Sequence, residues 1–362
     1  MKTFHCTHCQ SLVFFENVTC LTCGNTLAYL PERLLMVALR QEADGSWKAT
    51  KAGANDPAYR LCLNYPKGIC NWANPAAEAD TLCASCRLTR VIPNLSKPEN
   101  EAAWAKLETA KRRLVYTLLG LGLEPVPKAV EPQTGLAFEF LEDSTQGDAR
   151  RVLTGHDNGV ITVNIAEADD VQREKQRTRQ HEPYRTLLGH FRHEIGHYYW
   201  DRLIAGTRDL TAFRELFGDE RADYQQSLNR HYSEGPATNW EQGFISAYAT
   251  MHPWEDWAES WAHLLHMVDA LETASAAGRS LRPKRVDEPS MRPPADPLHT
   301  EHDRFDQMVD SWLPLTYILN NLSRGLGLPD SSPFVLSTPV IEKLRFIHRV
   351  ITAAASASPQ VM

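Results

Sequence analysis

The chain has 362 residues, 43% hydrophobic and 23% charged, enough to bury a sizeable core and to form two or more domains. Its formal charge of -7 gives no electrostatic drive toward nucleic acid or an anionic membrane surface. No run of about 18 apolar residues occurs, and the opening Met1 to Cys9 lacks an apolar signal core, so the expected location is cytoplasmic.

All eight cysteines fall at or before residue 86, which marks an N-terminal module over residues 1–95. The first four, Cys6-x2-Cys9-x10-Cys20-x2-Cys23 with Gly24 following, have the spacing of two facing knuckles. In a reducing compartment that pattern reads as a structural zinc site with four thiolate ligands rather than two disulfides. His5 and His8 interleave the first knuckle, but four sulfurs already saturate a tetrahedral ion. The second set, Cys62-x7-Cys70-x12-Cys83-x2-Cys86, is less regular. It reads as a second four-cysteine zinc site, with a redox pair at Cys83 and Cys86 beside two buried thiols as the alternative. Residues 1–100 carry ten Lys/Arg and eight Asp/Glu. Two tetrathiolate zinc sites would turn that small excess into about -2, a poor footprint for a phosphate backbone. Fold stabilisation, or docking of a protein partner or substrate, suits the module better than nucleic-acid binding.

Pro93 to Asn100 has the composition of a linker, and a second domain is expected over residues 100–362. Trp104, Leu107, Leu114, Val115, Leu118 and Leu121 recur at helical spacing, predicting an amphipathic helix packed on that domain. Leu136 to Leu141 and Val160 to Ile165 read as strands, the second preceded by the turn signal Asn158-Gly159.

The most informative segment follows. Phe191-Arg192-His193-Glu194-Ile195-Gly196-His197-Tyr198-Tyr199-Trp200 holds an HExxH motif in a stretch predicted helical from about Tyr184 to Leu203. Residues four apart lie one above the other on a helix, so His193 and His197 can share one zinc ion. Glu194 stands beside the pair as a candidate general base toward an activated water. A core helix with two satisfied histidines is the bland alternative, and His190 reads as a packing or supporting residue near the same face.

Catalytic zinc needs a third protein ligand and an open fourth position. Tyr248 to His263, YATMHPWEDWAESWAH, offers it: Pro253 suits a first helical turn, and Glu255 and Glu259 then share one face. Glu255 is the candidate ligand, and Glu259 the candidate acceptor that fixes a ligand imidazole. A rival lies in Gly218 to Tyr224, GDERADY, where Asp219 is the alternative third ligand and Asp223 stands one turn on. The bland reading of that pair is a solvated helix face or a salt-bridge set, with a calcium-like or substrate-amine role as further alternatives. His231, His252, His263 and His266 receive no role. Arg279 to His299 contains five prolines and predicts a long irregular segment. Helices are expected around Trp312, Leu315, Ile318 and Leu319 and over Val340 to Ile351, with Ala353 to Met362 frayed.

The Tyr248 to His263 stretch resembles the third-ligand helix of the gluzincin peptidases, and is similar at this point to anthrax lethal factor and the Mlc titration factor peptidases. In those families a tyrosine seven residues before the glutamate ligand serves the oxyanion, a role that the resemblance carries to Tyr248. The order of the cysteine clusters, HEIGHYYW, LFGDERADY, the Tyr248 to His263 stretch and PVIEKLRFIHRV resembles, over nearly the full chain, the bacterial zinc-binding metallopeptidases with an N-terminal zinc-ribbon domain. The likeness implies an α+β chain: a zinc-ribbon module, then a mainly helical zincin-like domain with a small β-sheet. In zincins the strand before the HExxH helix usually forms the sheet edge that pairs with substrate backbone, and Val160 to Ile165 is the candidate, with an interior strand as the bland alternative.

The sequence therefore predicts a zinc metallopeptidase acting on peptide or protein substrate, with one catalytic and two structural zinc ions. The alternatives are a non-catalytic zinc-binding interaction module built on a peptidase fold, and a nucleic-acid-associated regulator that the charge disfavours.

Overall fold

A computed structural model describes residues 2–53, 55–143, 151–179, 186–285, 287–298 and 304–357. The predicted helix start at Tyr184 and the end of the proline-rich segment at His299 lie outside them. The chain divides into two compact units, one of residues 2–120 with 124–169 and one of residues 121–123 with 170–362.

The first unit begins with a small antiparallel hairpin of β1 (Phe4–His5) and β2 (Leu12–Val13). A five-stranded antiparallel meander follows: β3 (Thr26–Leu30), β4 (Leu35–Gln41), β5 (Trp47–Ala49), β6 (Tyr59–Leu61) and β7 (Ala73–Pro75). Its core joins Ala28, Leu30, Val37, Leu39, Tyr59 and Ala73, and Trp47 packs against them. Then come β8 (Thr89–Val91), α1 (Pro98–Gly120), β9 (Ala137–Leu141), β10 (Gly155–Asp157) and β11 (Val160–Asn164).

The second sheet has the order β10-β11-β9-β8. Asn158 and Gly159, at φ 48° and 78°, form the turn between β10 and β11; positive φ at both central residues matches the right-handed twist of a hairpin. β11 is therefore flanked on both sides, antiparallel by β10 and parallel by β9. The expectation that Val160 to Ile165 forms a free edge is corrected, because a three-residue strand too short to see in the sequence covers it. The predicted apolar face of α1 is real, with Trp104, Leu107, Leu114, Val115 and Leu118 buried. It clusters with the cysteine-bearing unit rather than with the second one, where Phe4, Phe15 and Tyr29 surround its Tyr116.

The second unit is helical: α2 (Asp170–Arg179), α3 (Leu187–Leu203), α4 (Leu210–Phe217), α5 (Tyr224–Glu234), α6 (Pro253–Ala276), α7 (Phe305–Gly325) and α8 (Thr338–Ala357). Ala353 to Ala357, expected to fray, continue α8. The long α6 is the hub, packing on α3, α7 and α8. Its Trp257, Trp261, Leu264, Leu265 and Met267 are buried to within 1% of full exclusion, which explains the apolar run in its second half. Between α6 and α7 the described residues are irregular apart from a bridge between Leu281 and Met291, as the prolines predict. No described helix is long and apolar enough to cross a membrane.

Candidate metal centre

α3 starts where the Thr186 side chain accepts from the Gly189 amide at 3.0 Å, and its interior has no proline. His193 and His197 then fall one turn apart with their Nε2 atoms 3.2 Å from each other. α6 starts one residue after His252, whose Nδ1 accepts from the Trp254 amide at 3.1 Å, with Pro253 in the first turn as predicted. This start brings Glu255 to the histidines: Oε2 lies 3.0 Å from His193 Nε2, and Oε1 lies 3.5 Å from His197 Nε2. Tetrahedral bonds of ~2.0–2.1 Å hold donor atoms about 3.3 Å apart, so this triangle fits a zinc ion. Glu255 is 2% exposed and its Oε2 has no hydrogen-bond partner, an arrangement that an ion would resolve.

Glu259, one turn further along α6, accepts from His193 Nδ1 at 2.6 Å. Burial disfavours charge on His193, but the two carboxylates outweigh it and raise His193 well above the ordinary histidine range in the absence of an ion; with Nδ1 so engaged, Nε2 is the nitrogen that would face a metal. Ser246 donates to the other Glu259 oxygen at 2.7 Å and takes the Ala249 amide at 3.1 Å. That tie anchors the turn Tyr248–Thr250, and the Tyr248 ring lies 6.2 Å from that of His193. Burial raises the Tyr248 phenol far above its ordinary range, with the Glu255 charge adding to it, so it remains a proton donor at neutral pH. Burial disfavours charge on Glu255, but the two imidazoles outweigh it and hold the carboxyl well below its usual range.

Packing beneath the motif explains the uncharged Ile195 and Gly196. Ile195 is fully buried. The Gly196 carbonyl accepts from the Trp257 indole at 2.8 Å. Arg192 makes a buried ion pair with Asp269 of α6. Glu194 is nearly buried, at 9% exposure.

Asp219 does not join this group. It is exposed, and both carboxylate oxygens pair with Arg221 at 2.7 and 2.8 Å. Asp223 caps α5 by accepting from the Gln226 amide at 2.8 Å. The segment reaches the centre through a residue that the sequence reading passed over: the Tyr224 hydroxyl donates to Glu255 Oε1 at 2.9 Å. Ser246 was also missed. A polar residue thirteen positions before Glu259 carries no spacing signal.

Both cysteine sets converge. Within each, all four sulfurs lie within 4.8 Å of one another. Cys6–Cys23, Cys9–Cys20 and Cys70–Cys83 are separated by 3.7, 3.6 and 3.6 Å. A disulfide needs about 2.05 Å, whereas four Zn–S bonds of ~2.3 Å set sulfurs about 3.8 Å apart. The two knuckles of the first set match: Gln10 N donates to Cys6 O and Gly24 N to Cys20 O, both at 2.8 Å, with Gln10 and Gly24 at φ 65° and 72°. Donors to sulfur, Asn25 to Cys23 at 3.2 Å and the Cys83 amide to Cys62 at 3.4 Å, favour thiolate. Cys9 is drawn down to about 6, first by the Ser11 hydroxyl, whereas burial pushes Cys6 up to about 12 and raises Cys70 and Cys83.

A sequence model of the family described as "Putative zinc-binding metallo-peptidase" matches residues 100–350, and one described as "zinc-ribbon domain" matches residues 3–97. The chain belongs to that zinc-binding metallopeptidase family. It is 44% identical over 356 residues to "Uncharacterized protein Rv2568c" of Mycobacterium tuberculosis, spanning 98% of this chain and 96% of the relative. The same identity and coverage hold for "Uncharacterized protein Mb2598c" of Mycobacterium bovis. No solved structure matches.

Proposed function

We propose that this protein is a zinc-dependent peptidase whose centre is His193, His197 and Glu255, with Glu194 as general base and Tyr248 as oxyanion donor. The observation that carries the reading is the convergence of two imidazoles from α3 and one buried carboxylate from α6 on a single point, 62 residues apart in sequence. Zinc held there would polarise a peptide carbonyl and bring the acidity of a water near neutrality. Glu194 takes the proton of the attacking water and returns it to the leaving amine. The protonated, desolvated phenol of Tyr248 meets the charge that develops on the carbonyl oxygen. Glu259, steadied by Ser246, fixes the tautomer and direction of His193.

The two cysteine sets are proposed as structural zinc sites, which fits a reducing compartment and a cytoplasmic location. Their unit is proposed to stabilise the fold or to dock a protein substrate or partner.

Changing Glu194→Gln tests the proposal. Zinc content should stay, while cleavage of a mixed peptide pool falls about 10²- to 10⁴-fold. Turnover near that of the unaltered protein would overturn the assignment.

A further inference from the structure

We propose that Tyr224 is a positioning residue that makes Glu255 bind the ion through one oxygen only; this rests on the three-ligand centre proposed above. The two oxygens of Glu255 have different surroundings. Oε1 accepts the Tyr224 hydroxyl at 2.9 Å and stands 3.5 Å from His197 Nε2, whereas Oε2 is buried, lacks a hydrogen-bond partner and stands 3.0 Å from His193 Nε2. A carboxylate oxygen engaged by a phenol is a weaker donor to a metal, so the free oxygen becomes the ligand atom.

The placement of the phenol is built in. Tyr224 is the first residue of α5, fixed by the Asp223 cap, and its ring meets the His252 ring edge-on at 5.3 Å. His252 caps α6 through Nδ1 and donates from Nε2 to the Ala222 carbonyl at 3.1 Å. One buried imidazole thereby ties the turn that carries Tyr224 to the turn that carries Glu255. Without the hydroxyl, Glu255 is free to chelate with both oxygens and crowd the water and substrate position in a five-coordinate centre.

The test uses the full-length protein with both cysteine sites loaded with zinc and only the labile centre exchanged. Tyr224→Phe should tighten zinc at that centre, by up to about 10-fold, because a second Glu255 oxygen becomes a donor, read by competition with a chromogenic chelator. With cobalt(II) in that centre alone, the visible band should weaken, as it does when coordination rises from four to five. In a Glu255→Gln background the same tyrosine change should have no further effect on affinity. Unchanged affinity and an unchanged cobalt spectrum in Tyr224→Phe would overturn the inference alone. So would an equal loss in both backgrounds, which is what general damage to the fold predicts. Absence of any labile metal in the unaltered protein would instead remove the three-ligand centre itself.

Discussion

Gly196 of α3 packs directly against Ala258 of α6, across the two helices that bear the candidate metal centre: a methyl group on Gly196 would stand 3.1 Å from Ala258 Cα and 3.2 Å from Trp261 Cβ. The obstacle is backbone and indole root, neither of which swings aside as a flexible side-chain tip would. Gly196→Ala is therefore expected to cost about 1–3 kcal/mol of stability despite its better helix propensity. Urea unfolding followed by tryptophan fluorescence checks it. A neutral or stabilising outcome would show that the helices are free to separate.

Metal content provides a second expectation. Three zinc ions per chain should be found by elemental analysis, one at His193, His197 and Glu255 and two among the cysteines. A chelator should strip the first ion well before the others, and peptide cleavage should vanish with it and return when zinc is restored. One ion or none in the purified protein would contradict the site assignments.

The third expectation concerns acid. His263 of α6 is 4% exposed, and its ring stacks against that of His266 with centroids 6.0 Å apart. Burial holds His263 well below the ordinary histidine range and lowers His266 to about 3, with neighbouring cationic groups adding to both. A folded-state pKa below the unfolded value gives stability that is present above pH 6.5 and lost as pH falls from there toward 3. The loss approaches about 1.4 kcal/mol per pH unit for each ring. His263→Leu should flatten the slope between pH 6.5 and 5 in chelator-stripped protein, where zinc release does not contribute. An unaltered slope would mean that other groups set the acid sensitivity.

The parts of the centre visible in the sequence were those with a period. His193 and His197 announce themselves by helical spacing, and Glu255 and Glu259 by the same rule behind Pro253. The cysteine knuckles are legible for a related reason, since a CxxC pair is a local turn around one ion. Tyr224 and Ser246 carry no such signature because each meets its carboxylate through tertiary packing rather than helical spacing. Asp219 drew attention by resembling an acidic ligand, yet Arg221, two residues on, claims it. The interior position of β11 was equally hidden: alternation in Ile161 and Val163 reports one buried face and says nothing about how many neighbours the strand has.

Lys343 of α8 reaches back to Asp256, beside Glu255, at 2.6 Å and to the carbonyl of Gly243, in the segment leading to Ser246 and Tyr248, at 2.7 Å. The residue beside Glu255 and the segment leading to Tyr248 are thus fastened by one ammonium group, 87 residues after Asp256 in the chain. A growing chain carries the HExxH letters long before it carries that clasp.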